Sequence, residues 1–360
     1  MSGESITASN LSVAMATTED QTTHTTDGTG MTSSHSFDVE FYFEVAVVLI
    51  GVVGTVGNGL VLYALFASKQ HKKHALIVNQ NVLDLFASFF LTVVFILRLC
   101  NIRLTGVLGY WICIIIIGEY LVWVGNNGST FNLAIITVDR YLKVVHPVWS
   151  RKYLRPRVIY CAMLSAWLAS ILYNTAMIFK TSAVKNGHCY SYLFYDAEWK
   201  AIISTIFYIM AYYVIILAIL IFCYGRILVA LRRQARVMAA HSGPSSSTAQ
   251  TQSRQIQTNI IKTMILVSAL YAVCWMPTIA YLMSLHITRL NWLDPRYYVC
   301  MFVAFLYGAA NPFIYATKFD AVRKVLIDMI PCKKNRIQPA EGGGTGSAEL
   351  AQTRMTKVNA

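Results

Sequence analysis

Seven long apolar runs, separated by short segments rich in Lys and Arg, organise residues 41–317 of this chain. Between Glu44 and Lys69 no residue is charged. The second run, about Ala75 to Leu97, carries one acid, Asp84. The third, about Tyr110 to Val145, contains Glu119 and ends in Asp139-Arg140-Tyr141. Val158–Phe179, Ala201–Gly225 and Thr263–Thr288 are uncharged, the fifth run being rich in Ile and Tyr. The seventh, Tyr297 to Thr317, holds Asn311-Pro312-Phe313-Ile314-Tyr315. Each run is long enough to cross about 30 Å of hydrocarbon. Only a helix satisfies its own backbone there within one segment. The pattern therefore predicts an all-α membrane protein, a seven-transmembrane helix bundle.

The flanks read differently. Residues 1–40 are rich in Ser, Thr and Gly and hold no Lys or Arg. So little apolar surface cannot offset the entropy of ordering, which predicts a disordered extracellular N-terminus. It carries a glycosylation sequon at Asn10. No basic-then-apolar leader opens the chain, so the first span is expected to target it. Ser242–Thr248 reads as a flexible linker between spans 5 and 6. In residues 318–331, Phe319, Val322, Leu326 and Met329 recur at helical spacing among basic residues. That suits a short amphipathic helix 8 on the membrane surface, ended by Pro331. Cys332 beside Lys333 and Lys334 is a candidate palmitoylation site, or an unmodified thiol, in a disordered cytoplasmic tail of residues 332–360.

Composition sharpens this picture. Charged residues make up 13% of the chain, against about 25% in soluble domains. The net charge of +13 would suit nucleic acid, but the positions of the charges argue against it. With residue 1 outside, 23 of the 30 Lys and Arg fall on inner segments and seven on outer loops. This is the positive-inside asymmetry of a plasma-membrane protein with an extracellular N-terminus and a cytoplasmic C-terminus. The basic face lies beside anionic lipid and cytosolic partners. The eight Cys form no CxxC pair and no metal spacing, and no phosphate loop or nucleophile elbow occurs. Nothing points to an enzyme. A transporter or channel is the rival reading, against which the chain shows no internal repeat.

The landmarks on these runs carry a resemblance. Gly57-Asn58 lies in span 1, Asn79 and Asp84 in span 2, and Asp139-Arg140-Tyr141 at the end of span 3, with Pro147 seven residues on. Trp167 lies in span 4, Tyr224 near the inner end of span 5, Cys274-Trp275-Met276-Pro277 in span 6 and Asn311-Pro312-Phe313-Ile314-Tyr315 in span 7. Taken in this order, they resemble a rhodopsin-like (class A) G-protein-coupled receptor from about Glu44 to Cys332.

The resemblance implies a protein that couples an extracellular ligand to a heterotrimeric G protein, with receptor kinases and arrestin as further partners. Arg140 would face the G protein, paired with Asp139 at rest and meeting Tyr224 and Tyr315 when active; Tyr141 completes the triplet. Pro277 and Pro312 permit kinks. Trp275, one turn from Pro277, would act as an activation switch; ordinary aromatic packing is the alternative. Asn58, Asp84, Ser129 and Asn311 would form a mid-membrane cluster that can hold an allosteric Na⁺. The same residues also describe a packed hydrogen-bond network without an ion, and Tyr307 stands where a smaller polar residue is usual. No cofactor is otherwise required. Cys113 and Cys189 match the family disulfide, with Cys100 as a rival partner. Cys161, Cys223 and Cys274 read as buried apolar residues.

Four departures stand out. Span 5 has Ile216 where the family has Pro, which puts its bulge in doubt. The interval from Cys113 to Arg140 is two residues longer than the family's. Asn126-Asn127-Gly128 is the expected place for an irregularity that absorbs it. Gln257 and Thr258 replace the acid that would otherwise lock span 6 to Arg140. Val122 and Phe305 replace the amine-binding Asp and the retinal-binding Lys, which argues against a monoamine or retinal ligand. The expected pocket is Glu119, Tyr120, Val122, Trp123, Asn126, Thr278, Leu282, Tyr298 and Phe305. Arg98, His286 and Arg289 add charge at its rim, which leans toward a peptide over a small polar molecule. For Glu119 an ion pair with Arg98 is the competing role.

Overall fold

The computed structural model describes residues 30–191, 198–240, 248–288 and 294–329. Asn10, the linker at Ser242, Arg289, Pro331 and Cys332 lie outside them, and of His286 only the backbone is described. The seven apolar runs are helices: Gly30–Ala67, Ala75–Leu99, a third span beginning at Gly106 and ending at Val145, Pro156–Thr181, a fifth beginning at Glu198 and ending at Ala240, Thr248–Thr288 and Pro295–Lys318. All seven contain a segment long and apolar enough to cross a membrane. The first helix starts at Gly30, ahead of the boundary at residue 40 set from composition. Once a helix is nucleated, adding residues costs little, so an apolar core can extend into polar sequence.

Several ends follow from local chemistry. Pro156 and Pro295 occupy the first turns of spans 4 and 7, where a missing N–H costs nothing. The Asp294 carboxylate caps span 7 by accepting from the Arg296 backbone N–H at 2.8 Å. Hydrogen bonds from the Arg296 side chain, and then this backbone bond, hold the carboxyl down at about 2. A short helix, Pro147–Tyr153, follows span 3. Helix 8 spans Asp320–Asp328. Phe319 and Val322 are buried against the bundle while Met329 is exposed, so only part of the expected apolar face is free for lipid.

Span 1 packs on spans 2 and 7, span 6 on span 7, and span 3 runs between spans 2, 4 and 5. Gly125 makes the approach of spans 2 and 3 possible, since a Cβ there would lie 2.8 Å from the Ala87 Cβ. One apolar cluster fills the half of the bundle holding Asp139-Arg140-Tyr141, around Leu133, Ile136, Ile227, Met264 and Tyr315. A smaller one, with Val47, Phe95, Val122, Met301 and Phe305, fills the other half. Large apolar side chains such as Leu172, Ile221, Phe222 and Val273 face outward, as expected of helices whose solvent is lipid.

An antiparallel hairpin, β1 (Ser182–Lys185) and β2 (His188–Ser191), joins the far end of the bundle. Its turn is Asn186-Gly187, both at positive φ (52° and 80°), the pair that two-residue hairpins favour. Cys189 on β2 is bonded to Cys113, so the rival pairing with Cys100 is excluded; Cys100 is a free thiol. Cys223 and Cys274 are buried, whereas Cys161 is exposed on the outer face of span 4.

Candidate functional site

The longer third span is accommodated near its start, not at Asn126-Asn127-Gly128, which lies in regular helix. Residues Cys113–Ile117 form a π-turn, and the helix then breaks before resuming at Tyr120. Gly118 donates its N–H to the Cys113 carbonyl at 2.7 Å. A Cβ on Gly118 would meet that carbonyl, the Ile114 carbonyl and Ser182 Oγ, all at 3.0 Å. Glu119 takes the left-handed conformation, φ 64° and ψ 16°. Asn127 does not break the helix; its side chain reaches span 4 and donates to Asn174 Oδ1 at 3.3 Å.

Glu119 is held at this break from several sides. Its Oε1 lies 2.6 Å from Arg98 Nη2 and its Oε2 accepts from Trp123 Nε1 at 3.0 Å. Arg98 Nη2 also donates to the Ile117 carbonyl at 2.9 Å, and its guanidinium stacks over Phe95. The ion pair with Arg98, the competing role, is therefore present. The remaining expected pocket residues scatter. Tyr120 turns to span 4, its hydroxyl 2.9 Å from Thr175 Oγ1. Val122 and Phe305 belong to the apolar cluster with Phe95. Thr278 Oγ1 donates to the Cys300 carbonyl of span 7 at 2.9 Å. Asn126 and Leu282 are half-buried, and Tyr298 packs on Phe43. The Trp123 ring lies 6.2 Å from that of Trp275.

A closed cleft, too tight for a water molecule, lies between spans 3, 5 and 6. It is lined by Asn127, Thr130, Tyr208, Tyr212, Tyr213, Tyr271, Trp275 and Ile279. The sequence reading missed these tyrosines. For Tyr208, Tyr212 and Tyr213 the signal was the Tyr-rich fifth run, but that run is interrupted by a π-turn at Met210–Val214. That turn supplies the bulge without Pro; Ile216 lies beyond it in regular helix. Tyr271 Oη donates to the Tyr212 carbonyl within the turn. Tyr213 Oη donates to the Ala272 carbonyl at 3.1 Å. Two tyrosines, one from each helix, thus tie span 5 to span 6, and Tyr271 engages a carbonyl of the turn.

Below the cleft Asp84, Ser129 and Asn311 of the expected cluster meet, Asn58 bonds to backbone carbonyls, and one residue is added. Asp84 Oδ1 accepts from Ser129 Oγ at 2.5 Å, and Oδ2 accepts from Asn311 Nδ2 at 3.0 Å. Asn58 Nδ2 donates to the Gly54 and Gly308 carbonyls at 2.9 and 3.1 Å. The addition is Gln80, one turn before Asp84, whose Nε2 donates to Ser129 Oγ and lies 3.4 Å from each Asp84 oxygen. Tyr307 is buried beside it and packs edge-on to Tyr271.

At the Arg140 end, Asp139 is buried and paired more closely with Lys143 (2.8 Å) than with Arg140 (3.7 Å). The sequence reading had named Arg140 alone; Lys143, one helical turn on, reaches the carboxylate without straining its own backbone. Tyr224 Oη accepts from Thr137 at 3.1 Å and from Ser268 at 3.3 Å, bridging spans 3, 5 and 6. Tyr315 is fully buried. Tyr141 packs on Phe222 and on His146, whose Nε2 is 3.2 Å from its hydroxyl. Pro277 and Pro312 both lie inside their helices. His74, also missed from sequence, is buried at the start of span 2 with its ring edge-on to Phe319. Burial, then Arg140, Lys73 and Lys143, push its pKa down to about 4.

Residues 57–315 match the family model described as 7 transmembrane receptor (rhodopsin family). Human galanin receptor type 3 (Homo sapiens) is 28% identical over 321 residues, covering 83% of this chain and 83% of that receptor. Mouse C-C chemokine receptor type 8 (Mus musculus) is 29% identical, covering 80% and 79%. Rat somatostatin receptor type 4 (Rattus norvegicus) is 24% identical, covering 87% and 77%. Squid rhodopsin superposes with a TM-score of 0.66 at 20% identity, over 82% of this chain and 86% of that one; it supports the fold alone.

Proposed function

The chain belongs to the rhodopsin family of seven-transmembrane receptors, and we propose that it converts binding of an extracellular peptide into activation of a heterotrimeric G protein. A multi-pass membrane protein of a receptor family needs a ligand end and an output end. The output end is proposed at Arg140, with residue 1 extracellular and the basic segments inside. The observation that carries this is the convergence of Asp139, Arg140, Tyr224 and Tyr315 at one end of the bundle, with Tyr224 bridging three spans. A shift of span 6 must change the Ser268–Tyr224 bond, so the position of span 6 is coupled to the surroundings of Arg140.

At the other end, the closed cleft bounded by Trp275 and lined by Asn127, Thr130 and four tyrosines would offer rings and hydroxyls to a ligand once spans 5 and 6 part. Such amphipathic surfaces suit peptide side chains. The relatives named as galanin and somatostatin receptors, which are peptide receptors, also favour a peptide. A ligand that displaces Trp275 would bear on Trp123 and on Tyr271, whose ring lies 6.4 Å away. Tyr271 in turn holds the span 5 bulge. Receptor kinases and arrestin would act on the same inner face.

The test is nucleotide exchange on a panel of G proteins, with wild-type receptor and Arg140→Ala at matched surface expression. Loss of exchange in the variant supports the reading. Equal exchange across all subtypes would remove Arg140 from the output end. A peptide library read out by the same exchange assay would find the ligand; response only to small non-peptide molecules would overturn the peptide assignment.

A further inference from the structure

The cluster around Asp84 is where the family resemblance implies an allosteric sodium ion. We propose that in this protein the side-chain amide of Gln80 takes the place of that ion, so that the cluster is locked internally and does not respond to sodium. This goes beyond the signalling function proposed above and does not depend on which ligand or G protein is involved.

The argument rests on a chain of hydrogen bonds whose direction is fixed at both ends. Trp167 Nε1, which can only donate, donates to Asn79 Oδ1 at 3.1 Å. That leaves the Asn79 amide nitrogen to donate to Asn132 Oδ1 at 2.9 Å. Asn132 Nδ2 then donates to the Leu76 carbonyl at 3.0 Å, an obligate acceptor, and to Gln80 Oε1 at 2.8 Å. With its oxygen thus committed, Gln80 turns its NH₂ to Ser129 Oγ and to both oxygens of Asp84. Flipping any amide in the series would set N–H against N–H or oxygen against carboxylate. The orientation of Gln80 is therefore dictated by the network.

A cation needs oxygen lone pairs aimed at one point. Here Asp84 receives N–H or O–H groups from Ser129, Asn311 and Gln80. Ser129 Oγ spends its proton on Asp84 and a lone pair on Gln80. The carboxylate is thus already coordinated, by donors rather than by a metal. Gln80, Ser129, Asp84 and Asn311 are all nearly or wholly buried, and Tyr307 takes further space beside them. Three oxygens here, Asn58 Oδ1, Asn311 Oδ1 and Tyr307 Oη, are buried with no protein partner; they suit water, which both donates and accepts. Because the bonds run in one direction from Trp167 on span 4 through spans 2 and 3 to Asp84, which also accepts from Asn311 of span 7, each polarises the next. The resting arrangement is held by this chain, whatever the external salt.

The full-length receptor in lipid nanodiscs is heated in NaCl, KCl or choline chloride, with Asp84→Asn as the reference for salt effects elsewhere. Wild type is expected to show no sodium-specific rise in Tm beyond that reference. Gln80→Leu empties the amide's place and is expected to lower Tm in choline and to gain a saturable, sodium-specific rise. A saturable sodium-specific rise in wild type that Asp84→Asn removes would overturn the proposal. So would sodium insensitivity of both wild type and Gln80→Leu, because Gln80 would then not be what excludes the ion. If Gln80→Leu does not fold, ²³Na NMR line broadening on wild type against Asp84→Asn decides: equal broadening supports the proposal, and excess broadening in wild type overturns it. No ligand or G protein enters either measurement, so failure here is separate from failure of the signalling assignment.

Discussion

Replacing Glu119 tests the break in span 3 directly. Glu119→Ala removes an ion pair whose side chains are 5% and 25% exposed. Breaking a fully buried pair costs about 3–5 kcal/mol; with Arg98 partly solvated and still donating to the Ile117 carbonyl, about 2 kcal/mol is expected. Trp123 Nε1 loses this acceptor, adding about 1 kcal/mol. Left-handed backbone at φ 64° remains strained by about 1 kcal/mol for any residue with a Cβ. Glu119→Ala should therefore lose about 3 kcal/mol, or about 6–9 °C in apparent Tm for a domain of this size. Glu119→Gly removes the same contacts but relieves the strain, so it should melt about 2–3 °C above Glu119→Ala. Glu119→Gln keeps an acceptor for Trp123 and should fall between wild type and both. Thermal unfolding in detergent, followed by labelling of the buried Cys223 and Cys274 thiols, gives the order. Glu119→Gly melting below Glu119→Ala, or Glu119→Ala melting with wild type, would refute the reasoning.

His74 gives a pH test. Its folded pKa of about 4 lies below the ordinary 6.5, so between these values the unfolded chain binds a proton that the folded chain refuses. Stability should fall as pH drops through 6.5 toward 4, and His74→Asn should flatten Tm against pH in that window; an unchanged slope counts against it. Tyr271→Phe deletes the hydroxyl that meets the Tyr212 carbonyl and should cost about 1–2 kcal/mol. Amide exchange should quicken at Met210–Val214 while span 4 stays protected; uniform protection would contradict the tie between spans 5 and 6. Reducing the Cys113–Cys189 bond, or Cys113→Ser, should free the hairpin to proteolysis while leaving Asp84 and its partners intact, as seen in an unchanged Tm response of Asp84→Asn.

Much of this molecule is written along the chain. Where the segment must satisfy its backbone in lipid, length and apolarity leave only a helix, so the seven spans and their order follow from the sequence. The identities of Asn79, Asp84, Arg140, Trp167, Trp275, Asn311 and Tyr315 at fixed places on those spans were enough to mark the receptor family. Asn186-Gly187 also announced a hairpin, a local signal the reading by spans passed over.

What the tertiary structure decided are matters of facing and register. Two extra residues in span 3 can be absorbed anywhere a helix can be relaxed. They are absorbed at Cys113–Ile117 because the disulfide, Gly118 and Arg98 converge there, and those lie on different segments. The bulge of span 5 needs no Pro because Tyr271, on another helix, meets its carbonyl. The break and the bulge also reset which side chains face the centre, so Tyr208, Tyr212 and Tyr213 line the cleft while Tyr120 turns to span 4. Gln80 looks like one polar residue on an apolar run. Only the fold brings Asn132 and Ser129 against it and fixes which end of its amide meets Asp84. Span 3 is where both kinds of information meet: its Arg140 end follows from residue identity, and its Glu119 end from contacts made across the bundle.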